Sequence, residues 1–193
     1  MEKELISNAI KNSAEVKNKI LEDDNMSAVI ERIADEIQAA FKNEKKVLFC
    51  GNGGSAADAQ HLAAELSGKF YINREPLYAE ALHCNTSYLT AAANDYSFED
   101  VYERLVRAMG KMGDVLVGIS TSGNSKNVVK AIETANQKGI ITVGLTGGDG
   151  GKMKELCKYL INVPSSDAPR IQESHILIGH IICQLVEKKI FSA

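Results

Sequence analysis

The spacing of hydrophobic positions changes near residue 43. The first 43 residues contain no glycine or proline, and their apolar side chains recur every three or four positions. This is the spacing of the buried face of an amphipathic helix. It predicts two helices, separated by a polar break near Glu22–Asn25. The recurring positions are Ile6, Ile10, Val16 and Ile20, followed by Met26, Val29, Ile30, Ile33, Ile37, Ala40 and Phe41.

Five short apolar runs follow, and most of them lead through small or polar residues into a segment with helical spacing. The runs are Val47–Cys50, Leu77–Leu82, Val115–Ile119, Ile140–Leu145 and Tyr159–Val163. Strands that alternate with helices in this way predict βαβ units and a parallel sheet. Because the runs are continuous rather than alternating, we expect helices to cover both faces of that sheet.

A long helix is predicted at the end of the chain, from about Pro169 to Lys189. Proline is favoured in the first turn of a helix, and the segment has an apolar face. Its inward positions are Ile171, His175, Ile178, Ile182, Leu185 and Val186. We interpret residues 44–193 as one domain. Residues 1–43 are interpreted as a helical oligomerisation segment, because their apolar stripe could be buried on a second subunit as well as on the chain's own core.

Composition narrows the class of protein. The 193 residues are 45% hydrophobic and 24% charged, which is typical of one globular unit, and 15 glycines stand against 3 prolines. A net charge of −3 argues against a nucleic-acid partner, since binding to the phosphate backbone needs concentrated Lys and Arg. We expect a cytoplasmic protein with no membrane contact, because there is no signal-peptide pattern and no long apolar run.

The four cysteines are far apart and include no C-x-x-C pair. This pattern predicts reduced, mostly buried thiols rather than a disulfide framework or a zinc knuckle. The four are Cys50, Cys84, Cys157 and Cys183.

A glycine turn, Gly51–Gly54, follows the first predicted strand and leads to Ser55. Its glycines permit close approach of the backbone to a ligand, and Ser55 stands where helix N–H groups would meet an anion. The match to a dinucleotide-binding pattern is weak, because Glu80 lies within the second strand rather than at its end. The Lys-Ser/Thr pair of a P-loop is missing too, so we expect an anion site of another kind.

A hydroxyl loop, Ser120–Ser125, follows the third predicted strand. Four of its six residues carry hydroxyl groups, which offer donors without fixed positive charge and so suit a phosphate monoester. The alternative is a helix cap with surplus serines and threonines. Under either interpretation, Asn124 or Ser125 is expected to cap the next helix.

Two helices carry candidate acid–base or metal-binding groups. His61 and Glu65 are four residues apart, which places them on one helix face with Cβ atoms roughly 5–6 Å apart, although an isolated pair of this kind is often a simple exposed contact. On the last helix, helical geometry does not choose between Gln172 and Glu173 as the neighbour of His180. A histidine on a buried helix can also be a core residue.

One more polar pair, Asn94-Asp95, follows an alanine-rich stretch. We interpret it as the start of the helix that contains Val101, Leu105 and Val106, with Asp95 as its N-cap.

Five motifs, in their order and spacing, resemble the sugar isomerase (SIS) domain family over nearly the whole chain. They are GNGGSAADAQHLAAEL, AAND, ISTSGNS, LTGGDGG and RIQESH. The resemblance implies a three-layer α/β/α fold with a five-stranded parallel, flavodoxin-like sheet, and a homotetramer with its active sites at subunit interfaces. It further implies an aldose–ketose isomerase that converts sedoheptulose 7-phosphate to D-glycero-D-manno-heptose 7-phosphate through an enediol. That reaction is the first step toward the ADP-heptose of lipopolysaccharide cores and related glycans.

The same resemblance assigns roles to individual residues. It implies Glu65 as general base, His180 as general acid, and one zinc ion per subunit held by His61, Glu65, Gln172 and His180. Glu65 and Gln172 would also contact the substrate. The phosphate and nearby hydroxyls would be bound by Ser55, Ser120, Thr121, Ser122 and Ser125, and the sugar by Asn52, Gly53, Gly54, Asn94 and Asp95. The glycines between Gly147 and Gly151 receive no role.

The alternative function is a non-catalytic SIS-domain regulator that binds the replication initiator DnaA. That relative lacks the catalytic glutamate and histidine, whereas this chain has Glu65 and His180. A phosphosugar-sensing module of a transcription factor would need a DNA-binding extension. The sequence therefore favours the enzyme.

Overall fold

The computed structural model describes residues 1–191 as seven α-helices and five β-strands. The helices are α1 (Glu2–Leu21), α2 (Asp24–Lys42), α3 (Gly54–Ser67), α4 (Thr86–Asp95), α5 (Val101–Met109), α6 (Lys126–Gln137) and α7 (Ala168–Phe191). The strands are β1 (Val47–Gly51), β2 (Ala79–Ala81), β3 (Val115–Ile119), β4 (Ile141–Gly147) and β5 (Tyr159–Val163). Short 3₁₀ helices span Phe98–Asp100 and Gly151–Glu155.

All five strands are parallel, in the order β2-β1-β3-β4-β5. The chain passes from β1 outward to β2 and then returns to the other side of β1 to form β3. In such a sheet the point of reversal opens a crevice beyond the carboxyl ends of the two central strands, and ligands bind there. Gly51 and Ile119 are register partners at those ends, so the segments that follow β1 and β3 start side by side.

Side chains from both faces of the sheet are buried, which confirms the three-layer α/β/α prediction. Phe49 and Val117 pack with α2, α3 and α7 on one face. Leu48 and Leu116 pack with α5 and α6 on the other. Each strand is therefore apolar at successive positions because helices cover both of its sides.

Most element boundaries agree with the hydrophobic pattern. Strands β3 and β5 begin and end where predicted, and the predicted break between the first two helices is confirmed. There the Asp23 side chain accepts a hydrogen bond from the Met26 N–H (3.0 Å) and so starts α2. Strand β2 is shorter than its apolar run, because it pairs on one side only and over three residues.

Asn94 and Asp95 end a helix instead of starting one, so their predicted capping role is wrong. The Asn85 side chain accepts from the Tyr88 N–H (3.0 Å), and α4 then runs through the alanine-rich stretch to Asp95. The short 3₁₀ helix that leads into α5 is capped by Ser97, whose hydroxyl accepts from the Glu99 N–H (3.1 Å).

The two N-terminal helices are buried to very different extents. Ile33 and Ile37 of α2 are completely enclosed between the sheet and α7. In α1, by contrast, Leu5, Ile6 and Ile10 are all exposed. The oligomerisation role of residues 1–43 and the boundary at residue 44 stay predictions. Across residues 1–191, no helix has the length and apolar character needed to cross a membrane.

Candidate active site

The glycine turn and the hydroxyl loop are joined by a pair of amide side chains. Asn52 donates to Asn127 Oδ1 and accepts from Asn127 Nδ2, both at 2.9 Å. Asn127 is buried at the start of α6, directly after the hydroxyl loop, and its Oδ1 also accepts from the Val128 N–H (3.0 Å). Asn127 was not predicted from the sequence, since one amide in the first turn of a helix gives no signal of its partner.

At the glycine turn, the backbone lies open to the crevice. Gly53 has φ +57° and no neighbour within 4 Å of the position that a Cβ would take. A Cβ on Gly54 would lie 2.7 Å from Gln172 Oε1, so the Gln172 amide packs directly against the turn. Ser55 is buried at the first turn of α3. Asn52, Gly53, Gly54, Ser55 and Gln172 are therefore brought together.

The hydroxyl loop is closed by a contact between its two ends. Ser120 Oγ and Ser125 Oγ are 2.9 Å apart, and Ser125 is the N-cap residue of α6. Within the loop, Ser122 Oγ accepts from the Asn124 N–H (3.2 Å). Hydroxyl groups and the first N–H groups of α6 thus gather at the mouth of the crevice, an arrangement suited to an anion.

Three side chains with metal-binding atoms converge between α3 and α7. His61 Nε2 lies 3.1 Å from Glu65 Oε1 and 2.9 Å from His180 Nε2. One ligand atom from each of the three lies within 4.8 Å of the others. Two imidazole nitrogens and a carboxylate oxygen form a typical donor set for a zinc ion, so these residues fit that metal.

The three donors meet because α3 and α7 approach each other closely. A Cβ on Gly179 would lie 2.6 Å from both terminal methyls of Leu62. Gly179 precedes His180, and Leu62 follows His61, so the point of closest packing adjoins the histidine pair.

Gln172 and Glu173, which helical geometry did not separate, face different neighbours. Glu173 accepts from Ser13 Oγ (2.7 Å) and pairs with Arg170 (2.6 Å), so it is directed toward α1. Gln172 is directed toward the glycine turn on α3. It precedes His180 by eight residues, or about 12 Å of helix rise.

Asn94 and Asp95 are not brought into this group by hydrogen bonds. Asn94 Nδ2 donates to Asp95 Oδ1 (3.1 Å) at the end of α4. Apart from this bond, within residues 1–191 neither side chain hydrogen-bonds to a predicted site residue.

A buried ion pair, which the sequence analysis missed, holds the end of α3. Arg74 donates to Glu187 Oε1 (3.2 Å) and to the carbonyl oxygens of Glu65 (2.8 Å) and Leu66 (2.8 Å). Burial alone would raise the pKa of the Glu187 carboxyl, but the N–H groups of Tyr71 and Ile72 and the Arg74 guanidinium hold that pKa below its ordinary value. The last turn of α3, which carries Glu65, is thereby attached to α7.

His175 is the core histidine of α7. It is fully buried, and its Nε2 lies 3.0 Å from the Thr146 carbonyl oxygen. Burial lowers the pKa of His175 to about 4, although the bond to Thr146 opposes that change. His180, five residues later, is the histidine of the candidate site.

Comparison with known sequences gives a consistent assignment. A sequence model of the SIS domain matches residues 10–147. The phosphoheptose isomerase of Clostridium acetobutylicum is 52% identical over 189 residues, which cover 98% of this chain and 96% of that protein. Phosphoheptose isomerase 2 of Campylobacter jejuni is 54% identical over 176 residues, covering 91% and 88%.

Solved structures agree over the same length. The phosphoheptose isomerase of Neisseria gonorrhoeae superposes with a TM-score of 0.92 at 41% identity and covers 97% of this chain and 100% of its own. The phosphoheptose isomerase from Francisella tularensis gives a TM-score of 0.93 at 32% identity, covering 97% and 99%.

Proposed function

The chain belongs to the SIS domain family, and from that membership we propose that it is an aldose–ketose isomerase of phosphorylated heptose. The reaction is the conversion of sedoheptulose 7-phosphate to D-glycero-D-manno-heptose 7-phosphate, the first step toward ADP-heptose. One observation carries the proposal. On a chain about half identical to phosphoheptose isomerases, ligand atoms of His61, Glu65 and His180 converge within 4.8 Å of one another, between α3 and α7.

The phosphate group of the substrate is bound by the hydroxyl loop and Ser55. Support comes from the position of both segments at the carboxyl ends of the central strands, where helix N–H groups and hydroxyls can surround an anion. Ser120, Thr121, Ser122 and Ser125 supply the hydroxyl donors. The sugar chain then extends along the glycine turn, where Asn52, Gly53, Gly54 and Gln172 border the open backbone. Asn94 and Asp95 are retained as proposed sugar contacts.

Isomerisation needs one group that moves a proton between two carbons and a second group that transfers protons to and from the two oxygens. A carboxylate oxygen of Glu65 removes the proton from C1 of the ketose and returns it to C2 on the same face of the enediol. The His180 imidazole donates a proton to O2 as the enediol forms and recovers a proton from O1 as the aldehyde forms. Carbon and oxygen protons are thereby conserved over the cycle, and no net oxidation occurs.

A metal ion fits the same cluster. We propose zinc, one ion per subunit, held by His61, Glu65, Gln172 and His180. When bound, zinc would supply a Lewis acid for the two substrate oxygens. His61 acts as a ligand and holds Glu65 and His180 close together, as its two contacts of 3.1 and 2.9 Å indicate.

A homotetramer is proposed for the assembly. The exposed apolar positions Leu5, Ile6 and Ile10 of α1 support it, because a helix with an uncovered apolar stripe gains stability when a second subunit covers it.

The DnaA-binding regulator is the alternative, and it is less favoured. A regulator has no need of a carboxylate and two imidazoles at hydrogen-bonding distance. The similar proteins described above are named as isomerases.

The test is a turnover assay with zinc-supplemented protein and a panel of phosphosugars, followed by NMR of the C1 and C2 protons. We expect conversion of sedoheptulose 7-phosphate, with exchange of solvent deuterium into C2 of the product, and much weaker activity toward phosphorylated hexoses and pentoses. Absence of turnover with all sugars, together with saturable binding to DnaA, would favour the regulator.

A further inference from the structure

The segment after β4, here called the β4 loop (Gly147–Gly151), is packed against the hydroxyl loop. Four of its five residues are glycine, and it has no part in the mechanism above. Gly147, Gly148, Gly150 and Gly151 precede the 3₁₀ helix that leads to β5. The atoms that surround these glycines indicate a role for the loop.

Two glycines, one from each loop, are in direct contact. A Cβ on Gly151 would lie 2.4 Å from the Ser122 carbonyl oxygen and 2.7 Å from the Gly123 carbonyl carbon. A Cβ on Gly123 would lie 2.0 Å from the Gly150 carbonyl oxygen. These neighbours are backbone atoms, which cannot rotate away as a flexible side chain could, and the Asn124 side-chain nitrogen would lie 2.6 Å from the Gly151 Cβ as well. The backbones of the two loops are therefore packed directly against each other.

The hydrogen bonds between the two segments all run from N–H groups of the chain that ends β4 and follows it to oxygen acceptors of the hydroxyl loop. The N–H of Gly147 donates to the Thr121 carbonyl, and the N–H of Met153 to the Gly123 carbonyl, both at 3.1 Å. The N–H of Lys152 donates to Asn124 Oδ1 (3.1 Å), and Asn124 Nδ2 in turn donates to the Ser122 carbonyl (2.9 Å). Carbonyl groups of the hydroxyl loop are thus bound on the side of the β4 loop, and none of these bonds uses a backbone N–H or a hydroxyl group of the hydroxyl loop.

We propose that the β4 loop is a template that holds the hydroxyl loop in its anion-binding conformation, so that Gly151 and Gly123 are positioning residues for the substrate phosphate. This inference rests on the proposed function, because it takes the hydroxyl loop as the phosphate site. An anion-binding loop with hydroxyls and no fixed positive charge depends on several donors being aimed at one point. Displacing one backbone carbonyl by an ångström misdirects several of them together.

Gly148 provides a matched control on the same loop. Gly148 and Gly151 have similar positive φ values, +63° and +51°, so alanine is strained at both positions. No atom lies within 4 Å of a Cβ on Gly148, whereas one on Gly151 would press on Ser122 and Gly123. The difference between Gly148→Ala and Gly151→Ala therefore isolates the contact between the loops from backbone strain.

The experiment measures four quantities for the zinc-loaded full chain and both variants: kcat and KM for the phosphosugar, Ki for inorganic phosphate as a competitive inhibitor, and the zinc dissociation constant. For Gly151→Ala we expect KM and the phosphate Ki to rise at least tenfold, kcat to change less than threefold, and zinc affinity to stay the same. For Gly148→Ala all values should stay within twofold of the wild type. A general loss of folding would lower kcat and zinc affinity as well.

Asn124→Ala is a second variant, which adds no volume and so avoids the risk of misfolding. It removes the acceptor for the Lys152 N–H and the donor to the Ser122 carbonyl, and we expect phosphate Ki to rise about fivefold. Equal phosphate Ki values for wild type, Gly151→Ala and Asn124→Ala would overturn the inference, as would an equal loss in Gly148→Ala. If the wild-type protein isomerises no phosphosugar and does not bind inorganic phosphate, the proposed function fails instead.

Discussion

Arg74 and Glu187 form an ion pair inside the protein, with 3.2 Å between Nε and Oε1 and with 2% and 4% of their side chains exposed. The same guanidinium caps α3 through the carbonyls of Glu65 and Leu66. The pair therefore connects the helix that carries Glu65 with the helix that carries His180. Phe70, in the segment held by Glu187, lies with its ring 5.6 Å from the His180 ring.

Glu187→Gln should destabilise the protein strongly, because it leaves the Arg74 charge buried without its counterion. We expect the free energy of unfolding, measured by urea denaturation at pH 7.5, to fall by about 3 kcal/mol. Glu99→Gln is the control, since it removes one partner of an exposed ion pair with Lys126 and should leave the urea midpoint unchanged. Equal stability of Glu187→Gln and the wild type would show that the Arg74 charge is satisfied by carbonyl groups alone.

Replacing the proposed base or acid should stop catalysis while the fold remains. For Glu65→Gln and His180→Gln we expect kcat to fall at least about 1,000-fold, since a positioned acid or base contributes about 10²–10⁴ and each residue also serves as a proposed metal ligand. Turnover assays, circular dichroism and size-exclusion chromatography together distinguish this from misfolding. Gln60→Ala, on an exposed position of the same helix, is the control and should retain full activity. Substantial turnover by either Gln variant would remove that residue from the proposed mechanism.

Zinc binding should distinguish the two neighbouring polar residues of α7. With apo-protein prepared by chelation, we expect isothermal titration to show one zinc site per subunit, lost in His61→Ala and weakened at least about tenfold in Gln172→Ala. Glu173→Ala should bind zinc as the wild type does, because its carboxylate is directed toward Ser13 and Arg170. If Gln172→Ala keeps full zinc affinity and raises only the KM, Gln172 contacts the sugar and does not bind the metal.

His175 should make the protein sensitive to mild acid. Burial lowers the pKa of His175 to about 4 in the folded protein, whereas the unfolded chain takes up this proton near the ordinary value of 6.5. Between these values the unfolded state binds more protons, so the stability that neutral His175 provides is complete above pH 6.5 and declines as the pH falls toward 4. At pH 5 the loss amounts to about 2 kcal/mol.

The variant that tests this is His175→Gln, whose amide can still donate to the Thr146 carbonyl. Its free energy of unfolding should fall less steeply than that of the wild type between pH 6.5 and 4.5, by about 2 kcal/mol at pH 5. Parallel curves for the two proteins would assign the acid sensitivity to other groups.

The fold was predictable because its signals are local. A continuous apolar run such as Val115–Ile119 is bounded on both sides by polar residues, so the strand begins and ends where the run does. The capping role predicted for the Asn94-Asp95 pair was wrong, because an Asp before a helix and an Asp at the end of one look alike in sequence. What decided between them was Asn85, ten residues before Asp95, which had already started α4.

The site was only partly predictable, for a different reason. The spacing of His61 and Glu65 was visible in the sequence because one helix sets it. The contact between Asn52 and Asn127 joins residues 75 positions apart and depends on the order of the strands. Arg74 and Glu187 are separated by 113 positions, and neither lies in a recognisable pattern. Contacts of this kind arise from tertiary packing. The spacing of residues along a single helix or strand carries no information about them.

The close packing of Gly179 on Leu62 also has a consequence for ion selection. Since these residues adjoin His180 and His61, the distance between the two backbones sets how far apart the imidazole donors stand. The span that the donors of the proposed metal site could offer to an ion therefore depends on an apolar contact that would never touch the ion. A methyl group added at position 179 would press on the Leu62 side chain, and it would separate the two histidines unless Leu62 turned aside.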